Sequence, residues 1–229
     1  MVLKAKILTI FPEIFPGFLG YSLTGRALKE GLWQLETVNI RDYAFDKHGS
    51  VDDTPCGGGA GMIMRPDVLG NAIDHNYEGG KIIYMSPKGK PLTQAKVKEL
   101  STLENLTVIC GRFEGIDERV IEEYGIEEIS IGDYVLTGGE QAAMIMLDAV
   151  VRLLPGVLGN AASTENESFE DNLLEYPQYT RPVNWKGREV PEILMSGHHE
   201  NIAKWQRQQA LQITRERRPD LLEKMLDSE

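Results

Sequence analysis

The chain has 229 residues, 41% of them hydrophobic and 26% charged, with a formal net charge of −11. That length supports one large domain or two small ones with an ample core, and no apolar run approaches the ~20 residues of a membrane span. Cys56 and Cys110 are too few for a disulfide framework or a zinc site and suit a reducing cytoplasm.

The N-terminal segment, with Lys4 and Lys6 inside a strand-like pattern, lacks the layout of a signal peptide. Residues 6–11 read as a buried strand ended by Pro12. A short helix over 22–31 follows, with Leu23, Ala27 and Leu28 apolar and Gly31 as its stop, then a strand over 35–40. Such alternation predicts an α/β fold with a mostly parallel sheet and helices on both faces. Residues 41–61 are polar and glycine-rich, too long for a mere connection. Asp52, Gly57, Gly58, Gly59 and Gly61 could there meet a base or phosphate, or simply form a solvated loop.

Helices are expected over 66–75 and 93–103, strands over 81–85 and 106–110, and a short helix over 116–123. A strand at 127–130 leads into the most apolar helix, 140–154, whose stripe is broad enough to face the sheet and a second subunit. From 160 to 171 the apolar pattern vanishes, which reads as a flexible linker. Beyond it, Pro177, Pro182 and Pro191 keep the chain irregular. Ser196 resembles the cap of a helix carrying Ile202, Trp205, Gln209 and Ile213, and Pro219 starts a last short helix ending at 226. The expected domains are thus 1–159, a linker at 160–171, and a small, mainly helical domain at 172–229.

The charge argues at first against nucleic acid, because phosphate binding wants a basic face. Its distribution softens this: residues 1–180 hold 15 Lys+Arg against 27 Asp+Glu, whereas 181–229 hold 9 against 8. Lys204, Arg207, Arg215, Arg217 and Arg218 gather at the C-terminal end, either as a phosphate-contacting face or as ordinary helix-surface charge.

Three strands end in glycine-bearing turns: Ser86-Pro87-Lys88-Gly89, the run from Gly111 to Arg119, and Ser130-Ile131-Gly132-Asp133-Tyr134-Val135-Leu136-Thr137-Gly138-Gly139-Glu140. Such turns at the carboxyl edge of an open α/β sheet are where ligands bind, and the glycines let backbone amides approach a ligand closely. The last turn taken alone reads equally well as a tight connection. No GxGxxG, P-loop, HExxH or GxSxG motif is present, and His198-His199 lack partners at ligand spacing.

These runs, with Val51-Asp52-Asp53, Gly57-Gly58-Gly59, Pro155-Gly156-Val157-Leu158-Gly159 and Tyr179-Thr180-Arg181-Pro182, give the resemblance. In order, and over nearly the whole chain, they resemble the bacterial tRNA (guanine-37-N1) methyltransferases of the SPOUT class. The resemblance implies a deep trefoil knot, a homodimer with its active site between subunits, S-adenosylmethionine as methyl donor, and tRNA as substrate. It implies donor contacts from Tyr84, Ser86, Pro87, Gly111, Glu114, Gly115, Ser130, Ile131, Gly132, Asp133, Tyr134, Val135, Leu136, Gly138 and Gly139. It assigns tRNA contacts to Asp52, Gly57, Gly58, Gly59, Gly61, Lys204, Arg215, Arg217 and Arg218. No metal site is implied, and whether Mg²⁺ assists cannot be read from the residues.

Methylating a guanine N1 requires removal of its proton and stabilisation of charge growing on O6. The family's base is an aspartate before Ser-Phe in the linker; here Glu167 precedes Ser168-Phe169, with Asp171 as the rival carboxylate. Arg152 matches the family's arginine before Pro-Gly-Val-Leu-Gly and is the candidate for the O6 charge. From the residues alone, Glu167 reads as a solvated linker charge and Arg152 as a helix-end arginine. Ala142 stands where the family's Gly-Gly-Glu-x-Pro run has proline. An inactive knot-fold binding module and a small-molecule α/β enzyme are the alternatives, the second favoured by the acidic charge.

Overall fold

The computed structural model describes residues 2–159 and 167–226. The chain divides into two compact units, Met1–Gly159 and Asn160–Glu229.

The first unit is built on a five-stranded sheet of β1 (Leu3–Thr9), β2 (Trp33–Asn39), β5 (Lys81–Pro91), β6 (Asn105–Ile109) and β7 (Glu127–Ser130), in the order β2-β1-β6-β5-β7. Every pairing in it is parallel. A parallel strand must be followed by a crossover, and the helices supplying it cover both faces of the sheet. Alternate residues therefore enter two cores. Ala5, Ile7, Ile83, Met85, Leu106 and Val108 pack with α1 (Ser22–Lys29), α3 (Gln94–Ser101) and α5 (Gly139–Arg152). Leu8, Ile82, Tyr84 and Ile109 pack with α2 (Pro66–Asn76) and α4 (Glu118–Tyr124). Between β2 and α2, β3 (Asp52–Asp53) and β4 (Ile63–Met64) form a two-stranded antiparallel ladder.

Local signals place the helix starts. Pro66 opens α2 at the position where a missing N–H costs nothing. Thr93 and Asp117 cap α3 and α4, their side chains accepting from the Lys96 and Arg119 amides. The first strand begins at Leu3, three residues earlier than expected, because Leu3 and Lys4 already pair with β2 and β6; Lys6 is buried within it. Its ammonium donates to the Asn76 carbonyl at 2.9 Å and to Glu78 at 2.7 Å.

One expected turn is not a turn. Ser86-Pro87-Lys88-Gly89 stays extended within β5, which pairs with β7 on both sides of a register shift between Met85 and Lys90. A Cβ on Gly89 would collide with the Ile129 amide and lie 2.5 Å from the Glu128 carbonyl carbon. The glycine serves strand-to-strand approach.

The second unit carries a short turn at Glu170–Asn172, a hairpin of β8 (Asn184–Trp185) and β9 (Arg188–Glu189), and helices α6 (His199–Arg217) and α7 (Pro219–Leu226). Ser196 does not cap α6. Its hydroxyl accepts from the His198 amide at 3.2 Å in the turn before the helix, which begins at His199. Residues 160–166 of the expected linker lie outside the described residues, and 167–175 form a folded turn. There the Ser168 hydroxyl accepts from the Glu175 amide at 3.0 Å, and the Thr214 hydroxyl from the Leu174 amide at 2.8 Å.

Gly89→Ala should lower stability by about 1–3 kcal/mol, the usual cost of overpacking. Urea unfolding at wild-type midpoint would show that β5 and β7 do not approach this closely.

Candidate active site

Because β5, β6 and β7 are neighbours, the middle of β5 meets the segments that follow β6 and β7. They line a cavity of about 310 Å³, within the range of small-ligand sites. Tyr84, Ser86 and Pro87 come from β5; Gly111, Glu114 and Gly115 follow β6; Ser130, Ile131, Gly132, Tyr134, Val135, Leu136, Gly138 and Gly139 connect β7 to α5. Of the residues expected at the donor, Asp133 alone does not line the cavity. Arg112, Phe113, Thr137 and Ala142, which lie in or beside the same motifs but were given no ligand role, also line it.

The side chains here mostly hold the loops in shape. The Ser130 hydroxyl donates to the Gly132 carbonyl at 3.0 Å and accepts from the Gly132 amide at 3.2 Å. Ser86 accepts from the Lys88 amide at 3.2 Å, and the Tyr134 hydroxyl donates to the Ile131 carbonyl at 3.3 Å. Tyr84 is buried, and its ring fills the space a Cβ on Gly111 would need, 2.6 Å away. Burial first, and the Glu128 charge second, push the Tyr84 hydroxyl up to about 12, so it keeps its proton at neutral pH. With the side chains so engaged, main-chain groups are what the loops can offer a ligand. Tyr134, Val135 and Leu136 stay exposed as an apolar rim.

Beneath the loops lies a buried carboxylate. Glu140, in the first turn of α5, is fully buried; its Oε1 accepts from Thr9 Oγ1 at 2.8 Å and from Arg112 Nε at 3.2 Å. Arg112 Nη2 lies 2.9 Å from Glu140 Oε2, an ion-pair contact without hydrogen-bond alignment. Arg112 Nη1 donates to the Thr137 carbonyl at 3.2 Å, and the guanidinium stands 4.6 Å from the centre of the Phe11 ring. One arginine therefore ties the loop after β6 to the loop after β7.

This changes the reason for two glycines. A Cβ on Gly138 would meet the Arg112 guanidinium, and one on Gly139 would lie 2.9 Å from the Cys110 Cα. Both are glycine because protein atoms, rather than a ligand, occupy the space.

The other expected residues are more scattered. Gly61 lies against Glu114, whose Cγ would be 2.5 Å from a Cβ there, and the Glu114 amide donates to the Met62 carbonyl at 2.9 Å. The glycine-rich loop thus borders the cavity's Glu114 side. Asp52 pairs with Met64 in the β3–β4 ladder, and Gly57, Gly58 and Gly59 are exposed with open space around them. Arg152 ends α5, roughly 20 Å along the axis from Gly139 at the cavity, given 1.5 Å rise per residue.

Glu167 lies in the second unit, on a cavity of about 250 Å³ shared with Asp171, Tyr176, Gln206 and Arg207. Asp171 has a left-handed backbone (φ 47°) and meets the Arg207 guanidinium at 3.4 Å. Lys204 pairs with Glu200 at 2.6 Å and Arg218 with Asp220 at 2.7 Å, whereas Arg215 and Arg217 sit in the last turn of α6. Among the described residues no three His, Cys, Asp or Glu side chains cluster as a metal ion requires, and no helix is long and apolar enough to cross a membrane.

A parallel sheet with a cavity formed by β5 and by the segments after β6 and β7 is consistent in architecture with a SPOUT-class methyltransferase. Within that class, residues 3–224 match the family described as tRNA (guanine-1)-methyltransferase TrmD, and the chain belongs to it. Similar proteins include a tRNA (guanine-N(1)-)-methyltransferase of Mesorhizobium japonicum, 61% identical over 97% of both chains. Another of that description, from a Ruegeria species, is 60% identical over 96% of this chain and 92% of its own. A third, from Bartonella tribocorum, is 60% identical over 96% and 95%.

Arg112→Ala strands the Glu140 carboxylate, and breaking a buried pair costs about 3–5 kcal/mol. Thermal and chemical unfolding should register that loss. Unchanged stability would mean that Glu140 finds another partner.

Proposed function

We propose that this protein transfers the methyl group of S-adenosylmethionine to N1 of guanosine 37 in tRNA, beside the anticodon, preferring guanosine at position 36. The observation that carries this is the cavity formed by β5 and the loops after β6 and β7, in a chain that matches the family over nearly its whole length.

The cavity suits the donor by its chemistry. Ile129, Ile131, Leu136 and Ala142 supply apolar wall for a flat base, and the glycine-bearing loops supply main-chain donors and acceptors for its edge. Glu114 supplies a carboxylate for an ammonium or ribose hydroxyls. Bound there, S-adenosylmethionine provides a methyl group on a sulfonium. Glu167 takes the guanine N1 proton as general base, and Arg152 meets the negative charge growing on O6. The trefoil knot belongs to the same reading; it is supported by β5 lying between β6 and β7 while Gly139 packs back on Cys110.

The geometry also favours a homodimer. Arg152 and the donor cavity of one chain stand at opposite ends of α5, beyond the reach of an arginine side chain, so a second copy must bring them to one guanine. Phe18, Tyr21, Leu23 and Ile145 are exposed on elements that pack together around α1 and α5, an apolar face for such a copy. Residues 1–159 bind the donor, 160–171 link, and 172–229 hold tRNA, with Lys204, Arg215, Arg217 and Arg218 facing phosphates. Asp52 and the loop of Gly57, Gly58, Gly59 and Gly61 hold the target base.

Nucleoside mass spectrometry of an unmodified tRNA transcript after reaction should find N1-methylguanosine at position 37. Methyl on adenosine, or at another position, rejects the proposal.

Glu167→Gln should cost roughly 10²–10⁴ in kcat, the scale of general-base loss, with donor and tRNA affinities nearly unchanged. Asp171, already paired with Arg207, should tolerate Asn far better. A dead Asp171→Asn beside an active Glu167→Gln in single-turnover assays reverses the assignment.

A further inference from the structure

The hairpin of β8 and β9 presents features that the proposed reaction leaves unused. Trp185 is 59% exposed at its tip, whereas Trp33 is wholly buried and Trp205 packs beside Tyr179 at 6.3 Å. The Lys186 ammonium stands 4.8 Å from the centre of the Trp185 ring. The turn is built to hold this display: Asn184 Oδ1 accepts from the Gly187 amide at 3.1 Å, and Lys186 and Gly187 take left-handed conformations at φ 56° and 78°. The Val190 amide donates to the Val183 carbonyl at 2.9 Å and closes the base of the hairpin. Glu189, the nearest acid in sequence, accepts from Asn184 Nδ2 at 3.2 Å.

Charge makes the display selective. Residues 176–188 contain Arg181, Lys186 and Arg188 and no acidic residue, in a chain of net charge −11. Among the described residues no carboxylate forms an ion pair with these three, so they add to the phosphate-facing cations proposed on α6 and at Arg218, of which Lys204 and Arg218 each have a carboxylate beside them. An exposed indole flanked by unneutralised cations is the chemistry that holds single-stranded nucleic acid, a base stacking on the ring and phosphates meeting the cations. An acidic protein surface would meet the cations but would leave the indole without a flat partner.

We propose that the Trp185–Lys186–Gly187–Arg188 hairpin is an RNA contact, Trp185 stacking on an unpaired base of the substrate and Lys186 and Arg188 meeting the adjoining phosphates. The inference rests on tRNA being that substrate, and its test separates the two ideas.

The full-length protein would be titrated with an unmodified tRNA transcript bearing guanosine at 36 and 37, by filter binding across a salt series. W185A should weaken binding about tenfold, the scale of one base–aromatic stack, and W185F should recover most of it because the flat ring remains. K186A/R188A should weaken binding and lower the salt slope by about 1–2. Single-turnover methylation at saturating tRNA should stay near the wild-type rate in all three, and circular dichroism should show unchanged folding. If the wild type binds and methylates tRNA while W185A and K186A/R188A bind it equally well, the hairpin inference fails and the substrate reading stands. If W185A alone loses affinity, with K186A/R188A unchanged at every salt, the indole serves packing and the inference also fails. If the wild type neither binds nor methylates the transcript, the substrate reading fails and takes the hairpin with it.

Discussion

The Glu140 carboxylate, sealed beneath the loops and held by Thr9 and Arg112, is the contact on which the shape of the cavity depends. A buried carboxylate costs several kcal/mol of desolvation unless a cation and hydrogen-bond donors meet it. Here the donors come from the end of β1 and from the loop after β6, while the carboxylate stands in the first turn of α5, where the helix dipole favours it. Satisfying one charge thus fixes the relative positions of three segments. Arg112 carries the constraint upward by donating to the Thr137 carbonyl, so the cavity wall inherits its shape from the core. Cys110, beside this pair and wholly buried, has its thiol pushed well up, first by burial and then by the Glu140 charge, and is an inert packing group.

The glycines around the cavity follow from that constraint. At Gly138 and Gly139 the missing Cβ makes room for Arg112 and for the Cys110 backbone, and at Gly111 for the Tyr84 ring. The exposed Gly57, Gly58 and Gly59 differ, since nothing lies near them and their positive φ values shape an open loop. Glycine therefore plays two parts: tight internal packing around the cavity, and an open, accessible backbone in the loop of Gly57, Gly58 and Gly59.

The acidic overall charge and a polyanionic substrate fit together once charge is considered locally. Much of the acid of the first unit is spent in surface ion-pair clusters, such as Lys81 and Lys96 with Glu99 and Glu127. The second unit keeps an acid-free stretch at 176–188. Phosphate binding depends on the field near the contact, screened beyond about 8–10 Å, more than on the net charge.

By itself the sequence determined the parallel α/β class, through apolar runs alternating with helical periodicity, and two of the three segments that line the cavity, through glycines following β6 and β7. Both are local signals that survive without coordinates. Other features were invisible because their cause lies far away in the chain. Lys6, legible as a strand residue, can be buried only because Asn76 and Glu78, some seventy positions on, receive its ammonium. Ser86 to Gly89 remains extended because β7 runs alongside. Arg112 stood in the Gly111–Arg119 run without a partner, and only folding brings Glu140, 28 residues on, to within an ion pair of it. The candidate catalytic pair is the same lesson. Sequence already put Arg152 at a helix end, and helix length fixes its distance from Gly139. The tertiary structure decided that the segments around Gly139 close on a cavity that Arg152 does not line and that Glu167 shares another with Asp171 and Arg207, because both cavities need chain segments far apart in sequence to lie side by side.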